Sequence, residues 1–400
     1  MPYYRINLIV LGICTFLASV SWTQVVPFLP VYLEQLGAGD RLLEWSGLVY
    51  SAQFAAGIVM APLWGRMADR HGRKLMAIRA GLCLSAIYFL TGMAQAPWHV
   101  LVMRFLNGAL TGFIPAAIAL IATNTPGELA ARYVASVQTT QALGSVVGPV
   151  IGGVLASAFG IRGSLFISGS AVFFSVVLVA LFVREENKVQ PGERRSFMQD
   201  MKTALHSPIL LEVMAITLLG TLGSLAVQPI LAIYVAELAG SDSTSLSGVV
   251  FSLPGVAFVL TAGRWVRAGQ RLGYSRVVFG ALLGAAVSGV LLSLAGSVLA
   301  FSLLFFVQGV FIAGLRPVAA AIVSEEVDER VRGQAFGMLQ SATTLGGLVG
   351  PIVAGSVGRL FGTGAVFAAV GFLLAVGSFA LRLRGRRRNR PALVGRGELR

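Results

Sequence analysis

The sequence predicts an all-α polytopic membrane protein with twelve transmembrane helices in two six-helix bundles and both termini in the cytoplasm. Three observations predict this class: an apolar composition, twelve apolar segments of membrane-spanning length, and a one-sided distribution of Lys and Arg. Of the 400 residues, 56% are hydrophobic and 12% are charged, and the mean hydropathy is +0.80. Soluble proteins average about 25% charged residues. This chain therefore has too little polar surface to enclose a core in water.

Twelve apolar segments follow one another along the chain, and each is close to or above the ~20 residues that cross ~30 Å of hydrocarbon. The first follows only five residues and has no small-residue cleavage site, so we expect a retained helix and not a signal peptide. The predicted spans are 6–36, 45–67, 75–95, 98–124, 134–159, 163–183, 207–237, 245–266, 277–296, 299–324, 334–357 and 363–382.

The basic residues lie almost entirely on one side of these spans. Of the 31 Lys and Arg, Arg104 and Arg316 fall inside spans and Arg41, Arg162 and Arg359 lie in one set of connections. The other 26 lie in the alternate connections, in the span ends that adjoin them, or at the termini. The positive-inside rule then places both termini in the cytoplasm. The net charge of +14 is on this interpretation a topology signal, and we expect no nucleic-acid partner.

The longest cytoplasmic connection, 184–206, divides the chain into an N-terminal bundle (1–183) and a C-terminal bundle (207–382). A basic cytoplasmic tail, 383–400, follows. Small residues and prolines recur between the halves at a shift of 202, so that Gly112 and Pro115 correspond to Gly314 and Pro317, and Gly148-Pro149 to Gly350-Pro351. Parallel six-helix repeats around a midplane cavity are the layout of secondary transporters.

No pattern of enzymatic or metal-binding residues occurs. Cys14 and Cys83 lie in separate apolar segments, and the sequence has no CxxC, HExxH, GxSxG or P-loop motif. We therefore expect no enzymatic activity, no metal and no bound cofactor. Energy for pumping would come from an ion gradient or from a separate subunit.

A charged motif, Gly65-Arg66-Met67-Ala68-Asp69-Arg70-His71-Gly72-Arg73-Lys74, joins the second and third spans. We expect a turn in which Gly65 lets two helices approach and Asp69 pairs with an arginine or a helix N-terminus. The motif resembles the GxLADRxGRK signature of the major facilitator superfamily. That resemblance implies a conformational latch of charge pairs between the halves, formed by Gly65, Asp69, Arg70, Gly72 and Arg73. The alternative is that the basic residues act only as topology signals.

The fifth span contains Gly144-Ser145-Val146-Val147-Gly148-Pro149-Val150-Ile151-Gly152-Gly153, which resembles the antiporter motif GxxxGPxxGG of the same superfamily. Together with a PxxP element at 27–30, it resembles the twelve-helix drug:proton antiporter group. Small residues allow close helix packing and proline permits a bend; ordinary packing is the alternative role. The predicted hinge and packing residues are Gly144, Gly148, Pro149, Gly152, Gly346, Gly350 and Pro351.

Proton coupling has four candidates. Arg104 lies in the fourth span and resembles the superfamily arginine implicated in proton transfer, although a snorkelling arginine near a helix end is the alternative. None of the 17 acidic residues lies at the centre of a span, which leaves Glu34, Asp69 and Glu212 as possible proton carriers. The same absence favours neutral, amphipathic or anionic substrates over lipophilic cations.

Polar and aromatic residues within the spans are candidates for a substrate cavity, because pockets for small molecules combine apolar walls with a few polar groups. We place Arg316, beside Pro317, close to the bilayer midplane, where its partner could be Glu212, a glutamine carbonyl or an anionic group of the substrate. The predicted cavity residues are Gln24, Gln53, Asn107, Gln138, Gln141, Gln228, Phe305, Gln308, Phe311, Arg316 and Gln340.

The resemblance implies a secondary transporter of the bacterial inner membrane that exports drug-like molecules in exchange for protons and confers antibiotic resistance. The alternative is a transporter of one physiological solute, such as a sugar, a metabolite or a lipid headgroup. The expected partners are the small-molecule substrate, protons and membrane lipids. We expect a monomer.

Overall fold

A computed structural model describes residues 2–186, 207–240 and 244–388 of the chain; at a few helical positions, Asp69 among them, it describes the backbone alone. Regular secondary structure in these ranges is helical throughout. Ten of the described helices are long and apolar enough to cross a membrane.

Twelve crossings result from these helices. The helix Gly127–Phe182 has 56 residues, about 84 Å at 1.5 Å per residue, and non-helical dihedral angles at Gly160 divide it into two crossings. Leu42–His71 supplies a further crossing of 30 residues. The twelve-helix prediction is therefore confirmed, and the crossings are α1 (Tyr3–Gln35), α2 (Leu42–His71), α3 (Arg73–Gly92), α4 (Pro97–Asn124), α5 (127–159), α6 (161–182), α7 (Pro208–Ala239), α8 (Thr244–Leu272), α9 (Tyr274–Leu292), α10 (Val298–Glu326), α11 (Glu329–Phe361) and α12 (Thr363–Arg388).

Four of the crossings are interrupted, and they are the first of each consecutive group of three: α1, α4, α7 and α10. Proline explains each interruption, because it lacks the N–H donor and its ring clashes with the carbonyl four residues earlier. The interrupted helices carry Pro27 and Pro30, Pro115, Pro229 and Pro317, and their first segments end at Val25, Leu110, Leu225 and Ile312.

Each half of the chain has its own apolar core. One cluster of buried side chains is built around α7 and α9 to α12, including Phe301 and Phe367, and two clusters occupy the N-terminal half, around Tyr32 and around Phe113. The described parts of 1–183 and 207–382 thus form two bundles. The bounds of the connection and of the tail stay predictions, because 187–206 and 389–400 lie outside the described residues.

The two halves meet through α2 against α11 and α5 against α8. At Gly47 a Cβ would lie 2.5 Å from the carbonyl oxygen of Pro351, and at Gly248 it would clash with the carbonyl of Pro149. The backbones therefore touch, which only glycine permits. These contacts lie at the end of the molecule away from the chain termini and the basic connections. We call it the opposite end, and the end with Arg5, Arg73 and Arg184 the basic end.

Polar contacts join the halves at the opposite end as well. Arg359 of α11 forms an ion pair with Glu44 of α2. Ser157 of α5 and Ser245 of α8 lie 2.9 Å apart, oxygen to oxygen. Both halves therefore contribute to the closure of this end.

Two local predictions need correction. The sequence predicts a turn from Gly65, but α2 continues as a helix to His71 and the chain turns at Gly72, whose φ is 96°. A φ in that range suits glycine because a Cβ would be strained there. The twelfth helix also continues to Arg388, so the first residues of the predicted tail are helical.

Candidate functional site

A cavity of about 360 Å³ lies between the two halves. Seven crossings line it: α1, α2, α4 and α5 from the N-terminal half and α7, α8 and α10 from the C-terminal half. Its walls are mainly apolar and aromatic, with a few polar groups, as is typical of small-molecule pockets. The principal side chains are Trp22, Tyr50, Gln53, Phe54, Arg104, Ser145, Ser224, Gln228, Phe251, Phe258, Phe305, Gln308 and Arg316.

Helical spacing determines which residues reach the cavity. Tyr50, Gln53 and Phe54 lie three and four positions apart on α2 and so occupy one face of that helix. On the opposite wall, Gln228 and Leu231 share a face of the second segment of α7, and Ser224 reaches the cavity from the end of the first segment.

Arg104 is buried inside the N-terminal half at the cavity wall. Its side chain is 6% exposed, and its Nη1 donates a long hydrogen bond of 3.4 Å to Oε1 of Gln53. The guanidinium carbon lies 5.8 Å from the centre of the Trp22 ring, within the range of a cation–π interaction. The cation is therefore balanced by an amide dipole and an aromatic face. The guanidinium is therefore directed into the protein, towards Gln53 and Trp22.

Arg316 reaches the cavity from α10, just after the interruption of that helix. Its side chain is accessible from the cavity, and no described residue makes a hydrogen bond or an ion pair with it. Because the described lining contains Arg104 and Arg316 but no Asp or Glu, it carries a net positive charge.

Several predicted cavity residues are brought together here, namely Gln53, Gln228, Phe305, Gln308 and Arg316. Gln308 is almost fully buried, and its Nε2 lies beside Gly289 of α9 without a hydrogen-bond partner among the described residues. Only part of this side chain therefore faces the cavity.

Three predicted cavity residues lie elsewhere. The Nε2 of Gln24 donates to the hydroxyl of Ser168 on α6, so Gln24 is used for packing within the N-terminal half. Asn107 is 2% exposed and lies behind the cavity wall. Phe311 packs on Trp265, with ring centres 6.1 Å apart. Gln24 and Phe311 thus have partners on neighbouring helices, whereas Oδ1 of Asn107 accepts a hydrogen bond from Thr111 of its own helix at 3.3 Å.

The remaining predicted glutamines, Gln138, Gln141 and Gln340, lie nearer the basic end and do not line the cavity. Gln138 is exposed and lies two turns before Ser145, which does line it, so both lie on the same face of α5. The polar face of α5 therefore extends from the cavity towards the basic end.

The glycines of the GxxxGP motif hold α5 against α1. A Cβ at Gly144 would lie 2.7 Å from the carbonyl oxygen of Phe16, and one at Gly148 would clash with Thr23. At Gly152 it would meet the backbone of Gln24. The motif thus packs two helices of one half, while the carbonyl of Pro149 approaches the other half.

The second copy of the motif has the same arrangement in the C-terminal half. A Cβ at Gly346 would lie 2.9 Å from that of Thr221 on α7, and one at Gly350 would lie 3.3 Å from the backbone nitrogen of Ala226. Pro351 presents its carbonyl to Gly47 across the interface. Corresponding helices therefore use corresponding residues in both halves.

The sequence profile of the Major Facilitator Superfamily matches residues 11–268 and 213–399. Multidrug resistance protein MdtG from Enterobacter lignolyticus (strain SCF1) is 33% identical over 397 residues, which cover 98% of this chain and 94% of that protein. The same protein from Escherichia coli (strain SMS-3-5 / SECEC) is 34% identical over 371 residues, 91% of this chain and 90% of that one. The chain belongs to the Major Facilitator Superfamily.

The fold agrees with this assignment. A crystal structure of a bacterial homologue of the human lysosomal transporter Spinster, in an inward-facing and occupied conformation, superposes with a TM-score of 0.81 at 15% identity, covering 96% of this chain and 97% of that one. The predicted resemblance to the superfamily is confirmed. The protein is a multi-pass membrane protein and a secondary transporter.

The superfamily signature is anchored within the N-terminal half. Arg73 donates from Nη1 to the carbonyl of Ala119 at 2.6 Å and to Oγ1 of Thr123 at 3.2 Å, both on α4. The carboxylate of Glu185 accepts hydrogen bonds from the backbone N–H groups of Arg73 and Lys74, at 2.8 and 2.9 Å. Glu185 thus caps the N-terminus of α3, a role that the sequence suggests for Asp69.

The structure describes the other predicted latch residues less completely. Arg70 is exposed at the basic end, and the side chain of Asp69 lies outside the described part of the structure. The latch between the halves therefore stays a prediction.

The proton-coupling candidates are dispersed. Glu34 is exposed at the opposite end, and Glu212 is partly buried near the basic end of α7. Among the candidates whose side chains the structure describes, Arg104 alone lines the cavity. The identity of the proton carrier therefore stays a prediction.

Aromatic and polar lining residues that the sequence did not predict include Tyr50, Phe54, Ser145, Ser224 and Phe258. A signal existed for the first two, because they share a helix face with the predicted Gln53. The break in α7 separates Ser224 from the predicted Gln228, so helical spacing gave no signal for Ser224.

Proposed function

We propose that this transporter exports drug-like or amphipathic small molecules across the bacterial inner membrane in exchange for protons, by alternating access. The observation that carries the proposal is the cavity of about 360 Å³, amphipathic in its lining and walled by helices of both halves. The names of the two relatives, multidrug resistance proteins, support a role in efflux.

Alternating access is supported by the arrangement of the halves. The contacts of α2 with α11 and of α5 with α8 are made through glycines and proline carbonyls at the opposite end. Rocking of one bundle against the other would separate these surfaces and bring the basic ends together. If the basic end is cytoplasmic, the present arrangement is inward-facing, with the cavity closed towards the outside.

The substrate preference follows from the two cavity arginines. A positive cavity whose described lining has no acidic residue disfavours lipophilic cations and favours neutral or anionic amphipaths. An anionic group would provide Arg316 with the partner that it lacks among the described residues.

A growth screen tests the proposal directly. The protein is expressed in a host without its own efflux pumps and challenged with a broad panel of toxic compounds, with and without a protonophore. Resistance to several unrelated compounds that the protonophore abolishes is expected. Protection against none of them, together with uptake of a single solute, would favour the alternative of a transporter for one physiological substrate.

Topology gives a separate prediction. Single cysteines at position 190 or 395, in a variant without Cys14 and Cys83, should resist a membrane-impermeant thiol reagent in intact cells and react in lysed cells. A cysteine at Gln95, in a connection at the opposite end, is the matched control and should react in intact cells. Labelling of a cysteine at 190 or 395 in intact cells would show that the orientation is the opposite of the predicted one.

The latch hypothesis predicts the effect of a charge-neutral substitution. Asp69→Asn should insert into the membrane at normal levels and lose most export, because a charge pair that stabilises one conformation is removed. Asp40→Asn, at an acidic residue of the opposite end, is the control and should export normally. Export by Asp69→Asn at the rate of the unmodified protein would refute the latch in this chain.

A further inference from the structure

Two tryptophans bridge the breaks of the cavity-lining helices α4 and α10. Trp64 of α2 donates from its indole Nε1 to the carbonyl oxygen of Ala109 at 2.5 Å. Trp265 of α8 donates in the same way to the carbonyl oxygen of Val310 at 2.7 Å. Both pairs are 45 residues apart in sequence, so each half makes the same contact, displaced by one residue from the repeat shift of 202.

These hydrogen bonds satisfy carbonyl groups that the breaks leave without a backbone partner. In a continuous helix the oxygen of Val310 would accept from the N–H of Gly314. Among the described residues no backbone hydrogen bond joins these two groups, although neighbouring bonds such as Ala313 N–H to Gly309 are present. An unpaired carbonyl is costly in a medium without water, so the indole stabilises the broken form of the helix.

The indole of Trp265 also occupies the space that the break creates. A Cβ at Gly314 would lie 2.7 Å from Cδ2 and 2.9 Å from Cβ of Trp265. The φ of Gly314 is −77°, which any residue adopts, so glycine is needed there for space and not for its backbone conformation. The side chain of Trp265 thus packs against Gly314, two residues before Arg316.

We propose that Trp265 is a positioning residue for Arg316: its indole fixes the break in α10 so that the guanidinium is presented to the cavity. Its effect on substrate choice rests on the function proposed above. Trp64 provides an internal comparison, because the residue that corresponds to Arg316 after the break in α4 is the uncharged Ile114. Both halves therefore have the tryptophan contact, but only the C-terminal half has a charged residue at this position after the break.

Cysteine reactivity tests the positioning without relying on transport. In a parent with Cys14→Ser and Cys83→Ser, reporter cysteines are placed at Arg316 or at Ser224, another lining residue. Each reporter is combined with Trp265→Phe or Trp64→Phe, which keep a ring and remove the N–H donor. The purified proteins are reacted with negatively and positively charged methanethiosulfonate reagents, and the rates are compared.

We expect Trp265→Phe to change the rate at position 316 by about fivefold, the size of one typical hydrogen bond, and to leave the rate at 224 as in the parent. Trp64→Phe should leave the rate at 316 unchanged. An unaltered rate at 316 in the Trp265→Phe protein would overturn the proposal. Equal changes at 316 and 224 would also overturn it, because they indicate a general opening of the cavity.

Transport in cells tests the consequence for specificity, with Arg316 intact. Carboxyfluorescein serves as the anionic probe and ethidium as the cationic one. Trp265→Phe should lower carboxyfluorescein export relative to the parent, and Trp64→Phe should preserve the ratio of the two. An unchanged ratio in Trp265→Phe would overturn the role in specificity. Absence of export of any compound by the parent would contradict the proposed function, while the cysteine rates would still decide the positioning role.

Discussion

Replacement of Gly148 by leucine is expected to abolish export while the protein remains in the membrane at normal levels. Even a Cβ at this position clashes with the side chain of Thr23 and lies 3.1 Å from the carbonyl oxygen of Val20. Overpacking of this kind costs about 1–3 kcal/mol, and a bias of that size shifts a two-state equilibrium roughly 5- to 150-fold. Movement between conformations should therefore stall, because α5 lies between α1 of its own half and α8 of the other.

The two halves give a graded comparison for this prediction. At Gly350, the counterpart of Gly148, the nearest atom to a Cβ is the flexible end of Leu222 at 3.2 Å, so Gly350→Ala should be tolerated better than Gly148→Ala. Gly337 of α11 has no described atom within 4 Å of such a Cβ, and Gly337→Leu is the control that should export normally. Export, membrane levels and thermal stability of the purified variants are measured together.

A second-site change tests whether the clash with Thr23 causes the loss of export. Thr23→Ala removes the atom that a Cβ at Gly148 would meet first, so the pair Thr23→Ala and Gly148→Ala should recover part of the activity that Gly148→Ala loses. Full export by the double variant Gly148→Leu and Gly350→Leu would contradict the hinge role altogether, since both glycines lie against neighbouring helices and not against lipid.

Substitution of Arg316 should change which compounds are exported. Arg316→Lys keeps the charge but loses the planar guanidinium that binds a carboxylate or phosphonate through two hydrogen bonds. A hydrogen bond to a charged group contributes about 1.5–3 kcal/mol, so resistance to anionic compounds should fall about tenfold or more. Neutral compounds should be affected less. Arg316→Ala should remove the preference for anions completely.

Growth inhibition by matched anionic, neutral and cationic compounds measures this effect. Arg264→Ala, at an exposed arginine of α8 that hydrogen bonds to the carbonyl of Leu260, is the control for loss of one positive charge outside the cavity. If Arg316→Ala left resistance to every anionic compound intact and abolished resistance to cationic dyes, Arg316 would have to act in an internal ion pair and not in substrate binding.

The sequence by itself determined the membrane class, the twelve crossings and the two halves. These are local or additive properties: lipid imposes a minimum length and apolarity on each span, and it requires every backbone group to be paired within a helix. Proline likewise acts locally, and the sequence alone identified Pro115 and Pro317 as repeated positions. The charge of the connections predicts the orientation in the same way.

Only the tertiary structure decided which polar residues meet in the cavity. Gln24 and Gln53 are both amides inside apolar spans, yet Gln24 binds Ser168 on α6 and Gln53 faces Arg104. The sequence could not distinguish them, because lipid and protein interior are both apolar and hydropathy does not show how a membrane helix is rotated. Rotation is set by close contacts with neighbouring helices, as at Gly148 and Thr23, or Gly314 and Trp265, and these partners lie far apart in the chain.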